Sequence, residues 1–79
     1  MKPMKSIHPA YETSDLHLAS FLRCRGFRIE AIKRQNGKST FAFENSAELQ
    51  HAVLDFANDG AVSARAFSNT LRDLKALTR

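Results

Sequence analysis

Apolar residues recur with a helical period in three segments of the chain, and a stretch with a period of two follows the first segment. The first segment lies between the side-chain oxygens of residues 13–15 and Gly26. Such oxygens cap the start of a helix, and glycine favours its left-handed end. The pattern therefore predicts a first helix whose buried face comprises Leu18, Ala19, Phe21 and Leu22, closed by the stem of Arg25.

The stretch FRIEAIKRQNGKSTFAFE, residues 27–44, predicts a β-hairpin. We place its turn in a three-residue loop, Gln35-Asn36-Gly37, with Gly37 left-handed. This register pairs Arg34 with Lys38, Ile29 with Phe43, and Arg28 with Glu44. It leaves Ile32 on one face and gathers on the other Phe27, Ile29, Ala31, Phe41 and Phe43. A two-residue Asn-Gly turn would split that apolar set across both faces, so the alternation favours the longer loop.

A second helix is predicted after Asn45 and Ser46, which cap it, with Glu48 completing a capping box. It ends near Asn58-Asp59-Gly60, and its apolar stripe is Leu49, Ala52, Val53 and Phe56. Leu16 and Leu54 fall off the stripes of their helices and, with Ile32, form a candidate protein-contact patch if they are exposed together.

The last helix is predicted from about Ser63 and has the clearest separation of apolar and polar residues. Its inner side carries Phe67, Leu71, Leu74 and Thr78. Its outer side carries Arg65, Asn69, Arg72 and Arg79.

These elements predict an α+β domain in which a small antiparallel hairpin packs against three α-helices, in the order (β)-α-β-β-α-α. The optional first strand is at Ile7–Tyr11, where Pro9 would suit only an edge strand. We therefore divide the chain into an N-terminal arm or short edge strand, 1–10, and a single domain, 11–79.

Composition limits the chain to one thin core, since 79 residues bury little more than about 60 % of their unfolded surface. Cys24 has no second cysteine to pair with, which favours a reducing, cytoplasmic setting. The start lacks the apolar core of a signal peptide, and no apolar run approaches the ~20 residues that span a membrane. A soluble protein without a membrane partner is the expectation.

The net charge of +4 is concentrated in two segments. Four basic residues against two acidic ones leave +2 in residues 27–45, and four against one leave +3 in residues 61–79. Both can attract phosphates or an acidic protein surface. The alternatives are a solvated helix face and a hairpin edge protected from pairing. The candidate binding residues are Arg28, Lys33, Arg34, Lys38, Arg65, Asn69, Arg72 and Arg79.

Three stretches in sequence, TSDLHLASFLRCRGF, NGKSTFAFENSAEL and VSARAFSNTLRDLKAL, resemble a family of short prokaryotic proteins known as a domain of unknown function, number 5659. The resemblance spans residues 10 to 77. Its motifs are capped helices and a hairpin with alternating Phe, so it supports the fold and implies no active site.

Other groups of residues give weaker indications of a functional site. Phe41-Ala42-Phe43 matches only the centre of an RNA-recognition motif, and three helices that need a surface to cover favour these rings as core. Glu48, His51 and Asp55 could bind a metal only together with matching ligands on other helices, which the sequence lacks. His17 and Cys24 supply only two of the ligands that a zinc site needs. No nucleophile lies in a recognisable motif. We expect no catalysis, metal or cofactor.

Two functions of different class remain. The first is a non-enzymatic basic binding module that contacts nucleic acid through the hairpin tip and the last helix. The second is a small protein-interaction adaptor or inhibitor, of the kind encoded by a phage or other mobile element, which docks on an acidic protein surface.

Overall fold

A computed structural model describes residues 10–78 of the protein. The elements are β1 (Tyr11–Thr13), α1 (Leu16–Cys24), β2 (Ile29–Gln35), β3 (Lys38–Phe43), α2 (Ala47–Ala57) and α3 (Ala64–Leu77). The predicted α+β class and element order are confirmed. Arg79 and residues 7–9 of the predicted first strand lie outside the described residues.

The three strands form an antiparallel sheet in the order β1-β3-β2, with β3 in the centre. On β1, Tyr11 pairs with Phe43 and Thr13 pairs with Phe41. The described part of the first strand therefore occupies residues 11–13. It lies at one edge of the sheet, and β2 lies at the other.

The hairpin turn has two residues, so the predicted three-residue loop is wrong. Gln35 pairs with Lys38, and the turn residues Asn36 and Gly37 have φ angles of 54° and 78°. Positive φ at both central positions is the geometry whose twist matches that of the flanking strands, and Asn-Gly is its preferred sequence. The left-handed conformation expected for Gly37 is confirmed, and Asn36 shares it.

A β-bulge explains why the alternation of apolar residues gave the wrong turn. The register shifts between Ile29 and Ala31, so an extra residue changes the parity of the strand partway along it. Ile29 pairs with Phe43 as predicted. Nearer the turn the pairing moves by one residue: Ile32 pairs with Phe41, and Arg34 pairs with Ser39 and not with Lys38.

The bulge also exchanges the faces of two residues. Directly paired residues lie on the same face of a sheet, so Ile32 lies on the face of Phe41, contrary to the prediction. Ala31 pairs with Ala42 on the opposite face, where it had not been expected. The ladder closes at Ile29, and the predicted pair of Arg28 with Glu44 lies beyond its end.

Helix α1 is the centre of the molecule, because five consecutive residues, 18–22, are buried. It packs against α2, α3 and β1. The hydroxyl of Ser20 donates to the carbonyl of Leu16 at 2.9 Å, so the buried polar group is satisfied within the helix. Leu16 itself packs against the core and is not an exposed contact residue.

Both ends of α1 follow the sequence signals. The Asp15 carboxylate accepts the amides of His17 and Leu18. At the other end Gly26 has φ 97°, its amide donates to Arg23, and the Phe27 amide donates to the Leu22 carbonyl. These two bonds form a Schellman motif, which explains the sharp stop.

The core lies between α1 and the helix-covered face of the sheet. Phe41 and Phe43 are 1 % and 0 % exposed, and they pack with residues of all three helices. The predicted stripe of α2 is confirmed, with Leu49 and Ala52 buried and Val53 and Phe56 partly buried. On α3 only Leu74 is buried, while Phe67 and Leu71 are half-buried.

The caps of the last two helices are serines. Ser46 accepts the Leu49 amide, and Ser63 accepts the Ala66 amide. Because Ser46 is the N-cap, the third residue of α2 is Leu49, and the predicted capping box with Glu48 does not form. Asn45 instead accepts a hydrogen bond from the Gln50 side chain.

Arg25 fastens the end of α1 to α2 and to the loop before α3. Its guanidinium lies 3.0 Å from the Asp55 carboxylate and 3.3 Å from the Ala61 carbonyl. It also stacks 4.6 Å from the centre of the Phe21 ring. Arg25 therefore closes the apolar face as predicted, and its guanidinium also joins α1 to Asp55 and Ala61.

The burial of Leu74 predicts that Leu74→Ala lowers the free energy of unfolding by about 2–5 kcal/mol, because it leaves a cavity. Leu77→Ala, the same change on an exposed residue of the same helix, should cost under about 0.5–1 kcal/mol. Urea unfolding measures both. Equal losses in the two variants would contradict the packing face of α3.

The loop after α2 predicts opposite effects at adjacent positions. A Cβ on Gly60 would lie 2.9 Å from the Asp55 carbonyl oxygen, so Gly60→Ala should destabilise by about 1–3 kcal/mol through overpacking. Asp59 has φ 63°, so Asp59→Gly should stabilise by up to about 1 kcal/mol by relieving the left-handed strain. Thermal unfolding of both variants measures this, and a shift of the same sign in each would refute the account.

Candidate functional site

The outer side of α3 is exposed as predicted and carries Arg65, Asn69 and Arg72. The opposite side contacts α1. There the Phe67 ring stacks 6.2 Å from that of His17, and the Cys24 thiol lies 3.7 Å from the Thr70 hydroxyl. Because packing uses that side, the fold leaves the basic side facing solvent.

Arg65 and Arg72 are seven residues apart, which is close to two helical turns, so they lie one above the other about 10 Å apart along the axis. Asn69 lies between them. Among residues 10–78 neither guanidinium forms a hydrogen bond or an ion pair, so both keep their full charge and donor capacity for a ligand.

The basic residues of the hairpin tip, Lys33, Arg34 and Lys38, are all exposed, as predicted. Two of them nevertheless have partners within the protein. The Lys33 ammonium lies 2.6 Å from the Glu12 carboxylate, and this ion pair crosses the central strand on the face without helices. Arg34 donates to the Thr78 carbonyl at 3.0 Å.

The bond from Arg34 links the tip to the C-terminal end of α3. The last carbonyls of a helix carry partial negative charge and lack partners within the helix. A guanidinium placed there satisfies one of them. The tip therefore lies beside the end of the helix whose outer side carries Arg65 and Arg72.

Arg28 does not belong to the tip. It precedes β2 and lines a groove beside that strand together with Arg23 and Glu30. The apolar residues that line the groove are Ile29, Ala31, Ile32, Leu74 and Leu77. Of the eight predicted site residues, the structure thus places three along α3, three at the tip and one at this groove, and the eighth, Arg79, lies outside the described residues.

The predicted apolar patch of Leu16, Leu54 and Ile32 does not form, and the groove is the apolar surface that contains Ile32. Ile32 is 36 % exposed and Leu77 is 65 % exposed, and both line the groove. Leu54 is 61 % exposed but does not line it. Leu77 was missed, although its position three residues after Leu74 indicates the edge of the apolar stripe of α3.

Three other candidates, Phe41, Phe43 and Asp55, are structural. The Phe41 and Phe43 rings are enclosed by the core and present no face to a base. Asp55 pairs with Arg25. Within residues 10–78 no three His, Cys, Asp or Glu side chains are grouped as metal ligands, and none of the described helices is long and apolar enough to cross a membrane.

Comparison with known proteins supplies a family and no activity. Neither the curated proteins nor the solved structures contain a match to this chain. The sequence profile of one family matches residues 8–79, which includes every element of the fold. The match confirms the resemblance drawn from the helix and hairpin motifs, and the chain belongs to the family described as Domain of unknown function (DUF5659).

Proposed function

We propose that the protein is a non-enzymatic binding module that contacts the phosphate backbone of nucleic acid through α3 and the adjacent hairpin tip. The observation that carries this proposal is the pair Arg65 and Arg72, which are exposed and have no partner among the described residues. Neither contributes to the core, so their placement is free to serve a ligand.

The spacing of the two arginines suits a regular polyanion. At a separation of about 10 Å along the helix, the two long side chains can each reach a different phosphate of one strand. Asn69 between them can donate to a phosphate or accept from a base edge. Arg65 and Arg72 therefore provide electrostatic affinity. Asn69 adds an uncharged hydrogen-bonding group between them.

The tip extends this surface. Lys38 has no partner among residues 10–78, and it pairs with Gln35 at the turn, next to Arg34, whose bond to Thr78 joins the tip to the end of α3. Lys38 is thus the contact residue of the tip, Arg34 is its positioning residue, and Lys33 shares its charge with Glu12.

An acidic protein surface is the alternative ligand for the same cations. A nucleic-acid strand presents phosphates at regular intervals, so it offers a partner to both Arg65 and Arg72, whereas the carboxylates of a folded protein are irregularly spaced. Salt dependence alone does not separate the two, because both contacts are screened. A competition experiment distinguishes nucleic acid from an acidic protein surface. A DNA duplex should displace a bound duplex more effectively than polyglutamate of equal charge does.

The row on α3 predicts the salt dependence of binding. For a mixed-sequence 20-base-pair duplex, with affinity measured by fluorescence anisotropy between 50 and 200 mM salt, Arg65→Gln with Arg72→Gln should lower the slope of log K against log salt by about two. The same measurement on an RNA duplex, with the parent and the double variant, shows whether the protein prefers DNA or RNA. The melting temperature should stay within a few degrees of the parent.

The matched control removes the same charge from the groove, with Arg23→Gln and Arg28→Gln. It should leave the slope nearly unchanged. No binding of the parent protein to DNA or RNA at low salt would refute the proposal. An equal loss of slope in both double variants would show that net charge, and not the row on α3, determines binding.

The tip predicts a difference between two single changes. Lys38→Gln should weaken duplex binding and reduce the slope by about one, with no change in stability. Arg34→Gln should also lower the free energy of unfolding by about 0.5–1.5 kcal/mol, because the Thr78 carbonyl loses its donor. Anisotropy and urea unfolding on each variant measure these effects. A stable Arg34→Gln variant with unchanged binding would show that Arg34 does not position the tip.

A further inference from the structure

The outer side of α3 has an order of charges that indicates how a nucleic acid lies on it. At 3.6 residues per turn, the exposed residues across this side follow one another in a fixed sequence around the helix axis. From one flank to the other they are Lys75, Arg72, Arg65, Asn69 and Asp73. Cations therefore occupy one half of the outer side, and an amide and a carboxylate occupy the other half.

The two halves suit different parts of a nucleic acid. The Lys75 ammonium and the Asp73 carboxylate have no side-chain partner among residues 10–78, so both keep their charge for a ligand. Phosphates attract the cationic half and repel the carboxylate of Asp73. Base edges suit the second half, because an asparagine amide matches adenine and an aspartate can accept a hydrogen bond from cytosine.

The shape of α3 allows its outer side to enter a groove. The helix has 14 residues, which corresponds to a length of about 21 Å, and it packs chiefly on α1. Ala66, Ser68 and Ala76 are exposed beside the charged residues, and their small side chains let the helix backbone come close to a ligand. The major groove of B-form DNA is about 12 Å wide and admits an α-helix.

Single strands and RNA duplexes suit this side less well. Proteins that bind single strands stack the bases on aromatic rings. The one aromatic residue of α3, Phe67, packs against the core and stacks on His17. In an A-form RNA duplex the major groove is too deep and narrow for side chains to read. The base edges that α3 can reach are therefore those of duplex DNA.

We propose, on the basis of the nucleic-acid binding proposed above, that the ligand is double-stranded DNA and that α3 lies in its major groove. Arg65 and Arg72 contact phosphates of one strand, with Lys75 beside them. Asn69 faces the base edges, where its amide pairs with the N6 donor and the N7 acceptor of adenine. Asp73 is on the base side, away from the phosphates. The cations determine the affinity, and Asn69 determines the preference among bases.

The test removes one acceptor from the major groove. Two duplexes of about 20 base pairs have the same mixed sequence, and in one of them 7-deazaadenine replaces every adenine. This base has a C–H group in place of N7 and keeps its Watson–Crick pairing and its minor-groove edge. Fluorescence anisotropy with the whole protein measures both affinities at about 100 mM salt. We expect the substituted duplex to bind at least about fivefold more weakly.

Two variants locate the contact on α3. Asn69 is exposed and has no side-chain partner among residues 10–78, so Asn69→Ala should fold like the parent. It should bind the two duplexes within about twofold of each other, and it should keep the salt slope of the parent, because the phosphate contacts remain. The matched control Ser68→Ala, at the neighbouring exposed position, should keep the difference of at least about fivefold.

The shape of the groove predicts a second comparison. The parent should bind the DNA duplex at least about tenfold more tightly than the RNA duplex of the same sequence, because only the B-form major groove admits α3. Each DNA strand alone should also bind at least about tenfold more weakly, because α3 offers no ring for stacking.

The outcomes separate this inference from the proposed function. Equal affinity for the adenine and 7-deazaadenine duplexes, with a salt slope that depends on Arg65 and Arg72, would overturn the major-groove contact and leave backbone binding in place. RNA binding as tight as DNA binding would do the same. A 7-deazaadenine effect that persists in Asn69→Ala would show that Asn69 does not face the bases. The absence of binding to any of these nucleic acids would refute the proposed function itself.

Discussion

The burial of five consecutive residues in α1 is the constraint on which the rest of the structure depends. Consecutive helical residues point in every direction around the axis, so a buried run of this length needs neighbours on all sides. In a chain of 79 residues those neighbours are α2, α3 and β1, with Phe41 and Phe43 of the sheet completing the core. The other two helices and the sheet each pack one side toward α1 and leave another side exposed.

The exposed sides account for the row on α3 and for the groove beside β2. Helix α3 covers α1 with its apolar side, which leaves its arginines in solvent. The helices cover one face of the sheet. At the edge formed by β2 this cover is incomplete, and Leu77 of α3 stays exposed. The two surfaces meet near Thr78, yet they differ in chemistry: one consists of guanidinium and amide groups on a helix, and the other of apolar groups beside a strand.

The sequence predicted the helices well because their signals are local. Asp15, Ser63 and Gly26 act within one turn of their own positions, and the apolar stripes of α1, α2 and α3 follow from periodicity alone. The hairpin turn was predicted wrongly, because the bulge near Glu30 changes the parity of β2 without any mark in the apolar pattern. Asn36-Gly37 itself was the stronger signal, since its residue types favour positive φ at both positions.

The exposure of the candidate residues was predicted correctly, and the contacts that join them to the rest of the fold were not. That Arg65, Asn69 and Arg72 face solvent follows from the period of α3. That Arg34 bonds to Thr78, 44 residues away, depends on how the hairpin meets the last helix, and no local pattern contains it. The groove at Leu77 likewise needs the faces of β2 to be known, and these were reversed nearer the turn by the bulge.

The bond between Arg34 and Thr78 also determines where the two ends of the described chain emerge. Residue 78 is held beside the tip of β2, while residue 10 leads into β1 at the far edge of the sheet. A fluorophore, affinity tag or solid support attached after residue 79 would therefore crowd the basic tip and the end of the groove. The same attachment ahead of residue 10 starts from the edge of the sheet that neither surface uses, which makes it the side from which to immobilise the protein.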